Sequence, residues 1–98
     1  MTVYHIVLFK LKPGTPQEKV EELKAAGSAM IGQVPGLEKI SFGPPVLATR
    51  AHGFDIGLVA ILDKKETIKV YAEHPAHLTV HALRESICDD TLAYDLEF

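Results

Sequence analysis

The segment Tyr71-Ala72-Glu73-His74-Pro75-Ala76-His77 sets a phenol and two imidazoles within about two helical turns of one another. Neutral imidazole is the usual acid–base group near pH 7, and a phenol can donate to an oxygen on which charge develops. That pair suits removal of a proton alpha to a carbonyl, with His77 as general base and Tyr71 steadying the enolate or the accepting carbonyl. A base of this kind needs a partner that orients its ring. Asp95, on the face of the last strand opposite Leu92, Tyr94 and Leu96, is the carboxylate expected to hold His77 if that face looks toward the helices. His5 lies mid-strand on the same face as Val7 and Phe9 and is expected to assist or to position the substrate.

The remaining candidates have plainer readings. His74 precedes a proline at a helix start, where a side chain commonly caps the first turn. His52 and His81 read as rim residues. His77 and His81 have metal-ligand spacing on one helix face, but no third ligand stands at a convincing position, so no metal site is expected. Cys88 has no clear basic neighbour to lower its pKa and reads as a packing residue.

The elements that must position these groups follow from hydrophobic periodicity. Residues 3–11 alternate as a strand whose two faces are both largely apolar, Val3, Val7, Phe9 and Leu11 against Tyr4, Ile6 and Leu8. Thr15-Pro16-Gln17-Glu18 reads as a capping box opening a helix that runs to about residue 33. Gly27 within it weakens the helix by about 1 kcal/mol relative to Ala, which calls for either close packing or open space. A second strand over 37–46 is shortened by Gly43-Pro44-Pro45, and a third over 54–62 is again apolar on both faces. Asp63 is expected to cap a short helix to Tyr71. A second helical stretch follows Pro75 to about Ile87, and a strand over 91–98 closes the chain. This β-α-β-β-α-β order predicts an α+β, ferredoxin-like plait, a four-stranded antiparallel sheet with helices on one face. An apolar second face then predicts a symmetric homodimer joined sheet to sheet.

Bulk properties narrow the function class. The chain of 98 residues has room for a single domain, 1–98, and its net charge of −3 argues against nucleic acid as a partner. No apolar run reaches the about 20 residues of a membrane span. The opening lacks the features of a signal peptide, and a single cysteine suits a reducing compartment, so a cytosolic location is expected.

Val3-Tyr4-His5-Ile6-Val7-Leu8-Phe9-Lys10-Leu11-Lys12, the helix end Val34-Pro35-Gly36-Leu37, Tyr71 with His74-Pro75-Ala76-His77, and the closing Tyr94-Asp95 resemble the stress-responsive dimeric α+β barrel (Dabb) family over essentially the whole chain. The resemblance implies a dimer whose sheets form a central barrel. It also implies a kinship with cofactor-independent polyketide cyclases of the olivetolic acid cyclase type. Their Tyr and His working pair falls on Tyr71 and His77, their strand histidine on His5 and their orienting aspartate on Asp95. Val7, Phe9, Leu58 and Ala60 would line the pocket, with Leu23, Gly27, His74 and Cys88 also bordering it. Leu23 and Gly27 stand where the cyclase carries aromatic rings, and Cys88 where it carries a tryptophan, so a differently shaped pocket is implied. Some relatives bind magnesium through carbonyls that would be those of Ile31, Val34 and Leu37, an incidental structural site. A small-molecule substrate and no cofactor are therefore expected. The alternative is a stress-related structural protein, or one that binds a hydrophobic ligand without turning it over. A haem-dependent or cofactorless monooxygenase is a minor third.

Overall fold

Residues Val3–Leu11 form strand β1, whose alternation sends Val3, Val7 and Phe9 into the core and Tyr4, Ile6 and Leu8 the other way. The computed structural model describes residues 1–98. It continues with α1 (Gln17–Ser28), β2 (Leu37–Gly43), β3 (Ile56–Leu62), α2 (Thr67–Glu73), α3 (Pro75–Ile87) and β4 (Cys88–Glu97). The strands pair antiparallel in the spatial order β2-β3-β1-β4, the order of a ferredoxin-like plait. The core unites Val7, Phe9, Leu58 and Leu62 of the sheet with Val20 and Leu23 of α1 and Val80 of α3.

Several boundaries differ from the sequence reading, each for a local reason. Thr15 does not cap α1; its hydroxyl donates to the Lys12 carbonyl at 2.6 Å, and Pro16 is the extended residue before the helix. Helix α1 ends at Ser28 rather than near Gln33, because tighter turns take over: Met30 N–H donates to Gly27 O and Ile31 N–H to Ser28 O. In that turn the Val34 carbonyl accepts the Leu37 amide at 3.2 Å. Strand β3 starts at Ile56, since Phe54 closes a turn back to Ala51. Strand β4 starts three residues early, at Cys88, beside a register shift opposite Lys10 and Leu11.

Close packing accounts for Gly27. A Cβ there would lie 2.5 Å from the Phe42 ring, so the missing side chain lets α1 settle directly onto β2. Gly36 answers a different need: its φ of +84° turns the chain into β2 against Asp63 and Thr67.

The two faces of the sheet differ sharply. One lies under the helices. The other carries Tyr4, Ile6 and Leu8 of β1, Val59 and Ile61 of β3, and Leu92, Tyr94 and Leu96 of β4, with Tyr94 59 % exposed in the single chain. Phe98 extends this patch, its ring edge-on to Tyr4 at 4.8 Å. So large a contiguous apolar surface on one chain marks an interaction face. No helix is long and apolar enough to cross a membrane.

Candidate functional site

Strand register brings the first pair together. His5 on β1 lies directly opposite Asp95 on β4, both on the helix-covered face. Its Nδ1–H donates to Asp95 Oδ1 at 2.6 Å, which fixes the ring's tautomer and leaves Nε2 uncommitted. The expectation that Asp95 would hold His77 is thereby corrected: the carboxylate is spent on its cross-strand neighbour.

His77 is held by backbone instead. A residue before proline avoids the helical region, so His74 is extended (φ −67°, ψ 138°) and α2 breaks from α3. The break leaves the Ala72 carbonyl without a helical partner, and His77, in the first turn of α3, donates its Nδ1–H to it at 3.1 Å. His77 Nε2 is left as a lone-pair acceptor. Burial holds the His77 pKa below the ordinary histidine value, partly offset by the Ala72 hydrogen bond. His77 is thus neutral at pH 7, a base ready to accept a proton.

Tyr71, at the last turn of α2, is only 3 % exposed. Its ring lies between the two imidazoles, 5.1 Å from His5 and 4.5 Å from His77 between centroids. Burial pushes its pKa up to about 12, so the phenol keeps its proton and can act as a donor across the neutral range. The hydrogen bonds of the site join His5 to Asp95, His77 to Ala72 and Arg84 to His81. None uses the Tyr71 hydroxyl.

These groups border a cavity of about 120 Å³. Val7, Phe9, Leu58, Ile68, Val80 and Ala93 form its apolar walls, and His5, Tyr71, His77, His81 and Arg84 supply the polar atoms. Of the residues expected at the pocket, the structure gathers His5, Val7, Phe9, Leu58, Tyr71 and His77, with Asp95 behind His5. It places others elsewhere. Leu23 and Ala60 are 0 % exposed within the packed core, and Gly27 is sealed by Phe42. His74 caps α3, its Nδ1 accepting the Ala76 amide at 3.0 Å. Cys88 pairs with Leu11 at the far end of β1, about 20 Å along the strand from His5. There it borders a shallow polar depression with Glu85 and Asp90, and burial raises its thiol pKa.

The sequence reading named neither the apolar wall residues Ile68, Val80 and Ala93 nor Arg84 as part of the site, and it left His81 at the rim. His81 and Arg84 stand four and seven positions after His77, hence on the same face of α3. That spacing was the available signal. Arg84 Nη2–H donates to His81 Nδ1 at 2.6 Å, turning a residue read as rim into part of the site.

The Dabb family model, the stress responsive A/B barrel domain, matches residues 3–98. No curated protein matches the chain. Among solved structures, a dimeric ferredoxin-like protein of unknown function from Jannaschia sp. CCS1 is similar at a TM-score of 0.89, 22% identity and 100% of both chains. A second dimeric ferredoxin-like protein of unknown function, from Thermobifida fusca YX, gives 0.85 at 26% identity, covering 100% of this chain and 92% of that one. A hydroxynitrile lyase from Passiflora edulis gives 0.86 at 16% identity, covering 97% and 91%.

Proposed function

Since the chain belongs to the stress responsive A/B barrel family, we propose that it is a cofactor-independent enzyme performing acid–base chemistry on a small carbonyl compound. The observation that carries this is the Tyr71 phenol set between two imidazoles, each held through Nδ1 and each with Nε2 left over. His77 Nε2 removes a proton alpha to the carbonyl. The Tyr71 hydroxyl donates to the enolate oxygen, where an uncharged donor in an apolar site is most effective. The enolate carbon then attacks a second carbonyl in an aldol or cyclisation step, or takes the proton back. His5, fixed by Asp95 on the other side of the phenol, aligns the acceptor and serves as the second proton-transfer group. A lyase on this fold in Passiflora edulis supports a lyase-type reading. The sequence resemblance to olivetolic acid cyclase-type enzymes favours ring closure within that class.

The open sheet face is where a second copy would seat. Dimeric neighbours from Jannaschia and Thermobifida support that assembly.

The test is hydrogen–deuterium exchange at the alpha carbon of small ketones and keto acids, followed by proton NMR in D₂O. Catalysed exchange is expected, and His77→Ala should slow it about 10²- to 10⁴-fold. Exchange no faster than buffer, or unchanged in His77→Ala, refutes the mechanism. A second reading, hydrophobic-ligand binding without turnover, draws on the mainly apolar walls. Binding without any exchange would select it.

A further inference from the structure

Tyr71 and Arg84 bring donors to the cavity wall, beside the imidazoles of His5, His77 and His81. No carboxylate borders it. Asp95 stands behind His5 and is engaged by it, and Glu85 is 63 % exposed on the outer side of Arg84, meeting Nη2 at 3.0 Å. The Arg84 side chain itself is 19 % exposed, and its Nε is buried with no hydrogen-bond partner in the chain. A buried donor left unpaired is costly, more so on a charged group, and a guanidinium is shaped to receive a carboxylate on two donors at once. The one permanent charge among the lining residues is the Arg84 guanidinium, which meets Glu85 through Nη2 and keeps Nε unpaired, and that combination favours an anion in the cavity.

From this we infer that the cavity takes a small carbonyl acid, a compound bearing both a ketone and a carboxylate, with Arg84 receiving the carboxylate. The inference rests on reading the cavity as the substrate site. Arg84 binds the acid group while Tyr71 and His77 face the ketone, so the two oxygen-bearing ends are assigned to different residues. At about 120 Å³ the cavity is smaller than the roughly 300 Å³ at which sites for drug-sized ligands begin, and a short acid fits the space. Glu85 holds the guanidinium from outside, and the bond to His81 Nδ1 fixes its plane.

The probes are levulinate, which is ionised at neutral pH, and its uncharged methyl ester. Both are titrated into ¹⁵N-labelled protein and followed by amide and arginine side-chain shifts. Wild type should bind the acid about tenfold to hundredfold more tightly than the ester, with shifts centred on Ala72 and Arg84. Arg84→Gln should abolish that preference while keeping the ester's affinity, and Arg84→Lys should retain part of it. Equal affinities in wild type, no saturable binding of levulinate, or an undiminished preference in Arg84→Gln would each overturn the inference. The wild-type comparison decides even if Arg84→Gln fails to fold. Acid preference without alpha-proton exchange defeats the proposed reaction and leaves this site standing; exchange without acid preference does the reverse.

Discussion

One four-stranded sheet presents two apolar faces that do different work. Beneath the helices, alternation is interrupted by polar groups: His5 and Asp95 lie in a surface otherwise made of Val3, Val7, Phe9 and Leu58, and a cavity opens around them. On the open face Tyr4, Ile6, Leu8, Leu92, Tyr94 and Leu96 run without a charge at their centre. A hydrogen-bonded His–Asp pair at the rim of a cavity, His5 mostly buried and the Asp95 side chain 37 % exposed, signals use, whereas an uninterrupted apolar face signals assembly. Apolarity alone does not separate the two roles. The polar interruptions do.

That contrast can be broken from the assembly side with the largest effect. Tyr94→Lys puts a charge into the open face twice over in a symmetric pair, and light scattering after gel filtration should show the mass falling to that of one chain. The cavity should still bind ligand, because Tyr94 points away from it. A variant that stays dimeric would show that the pair forms through another surface. From the other side, His77→Ala should lose activity by about 10²- to 10⁴-fold with the dimer intact. Asp95→Asn keeps the shape but frees the His5 tautomer, for which a loss of about tenfold to hundredfold in kcat is expected, with little change in melting temperature. A rate equal to wild type would remove the dyad from the mechanism.

Smaller effects sharpen the same division. Gly27→Ala forces the Phe42 ring aside and should destabilise the fold by about 1–3 kcal/mol, read as a lower denaturant midpoint, without altering the cavity chemistry. The pH dependence has two limbs. The folded-state pKa of His77 is lowered, so as pH falls below the ordinary value near 6.5 the unfolded chain binds the proton first and stability declines; the acidic limb of the rate should also lie below that value. The phenol of Tyr71 is raised from 10.0 to about 12, so stability is lost as pH rises through that interval, by about 3 kcal/mol once both states are ionised. Tyr71→Phe should reduce the alkaline limb to what the raised Cys88 thiol contributes, which denaturation curves at several pH values would show.

Element order was legible because period-2 and helical spacing, together with Pro16, Pro35 and Pro75, are local properties of the chain. The break at His74-Pro75 was equally local, and it accounts for His77 lying close to Tyr71. Helix ends were less legible. Thr15 and Glu18 match a capping box, yet the Thr15 hydroxyl found the Lys12 carbonyl instead, a competition between nearby partners that spacing does not resolve. The other members of the expected pocket depended on packing: Ala60 stands directly opposite His5 on β3 but is sealed in the core with Leu23, Gly27 is closed by the Phe42 ring, and Cys88 lies at the far end of β1.

The sequence by itself determined the plait, its two apolar faces and the neighbourhood of Tyr71 with His77, because periodicity and proline act over a few residues. Only the tertiary structure decided that Asp95 serves His5 while a bare carbonyl serves His77. Residues 90 positions apart meet through strand register, and register is a property of the whole sheet. It also decided that Arg84 enters the site, since a helix face has meaning only once there is a cavity for it to border.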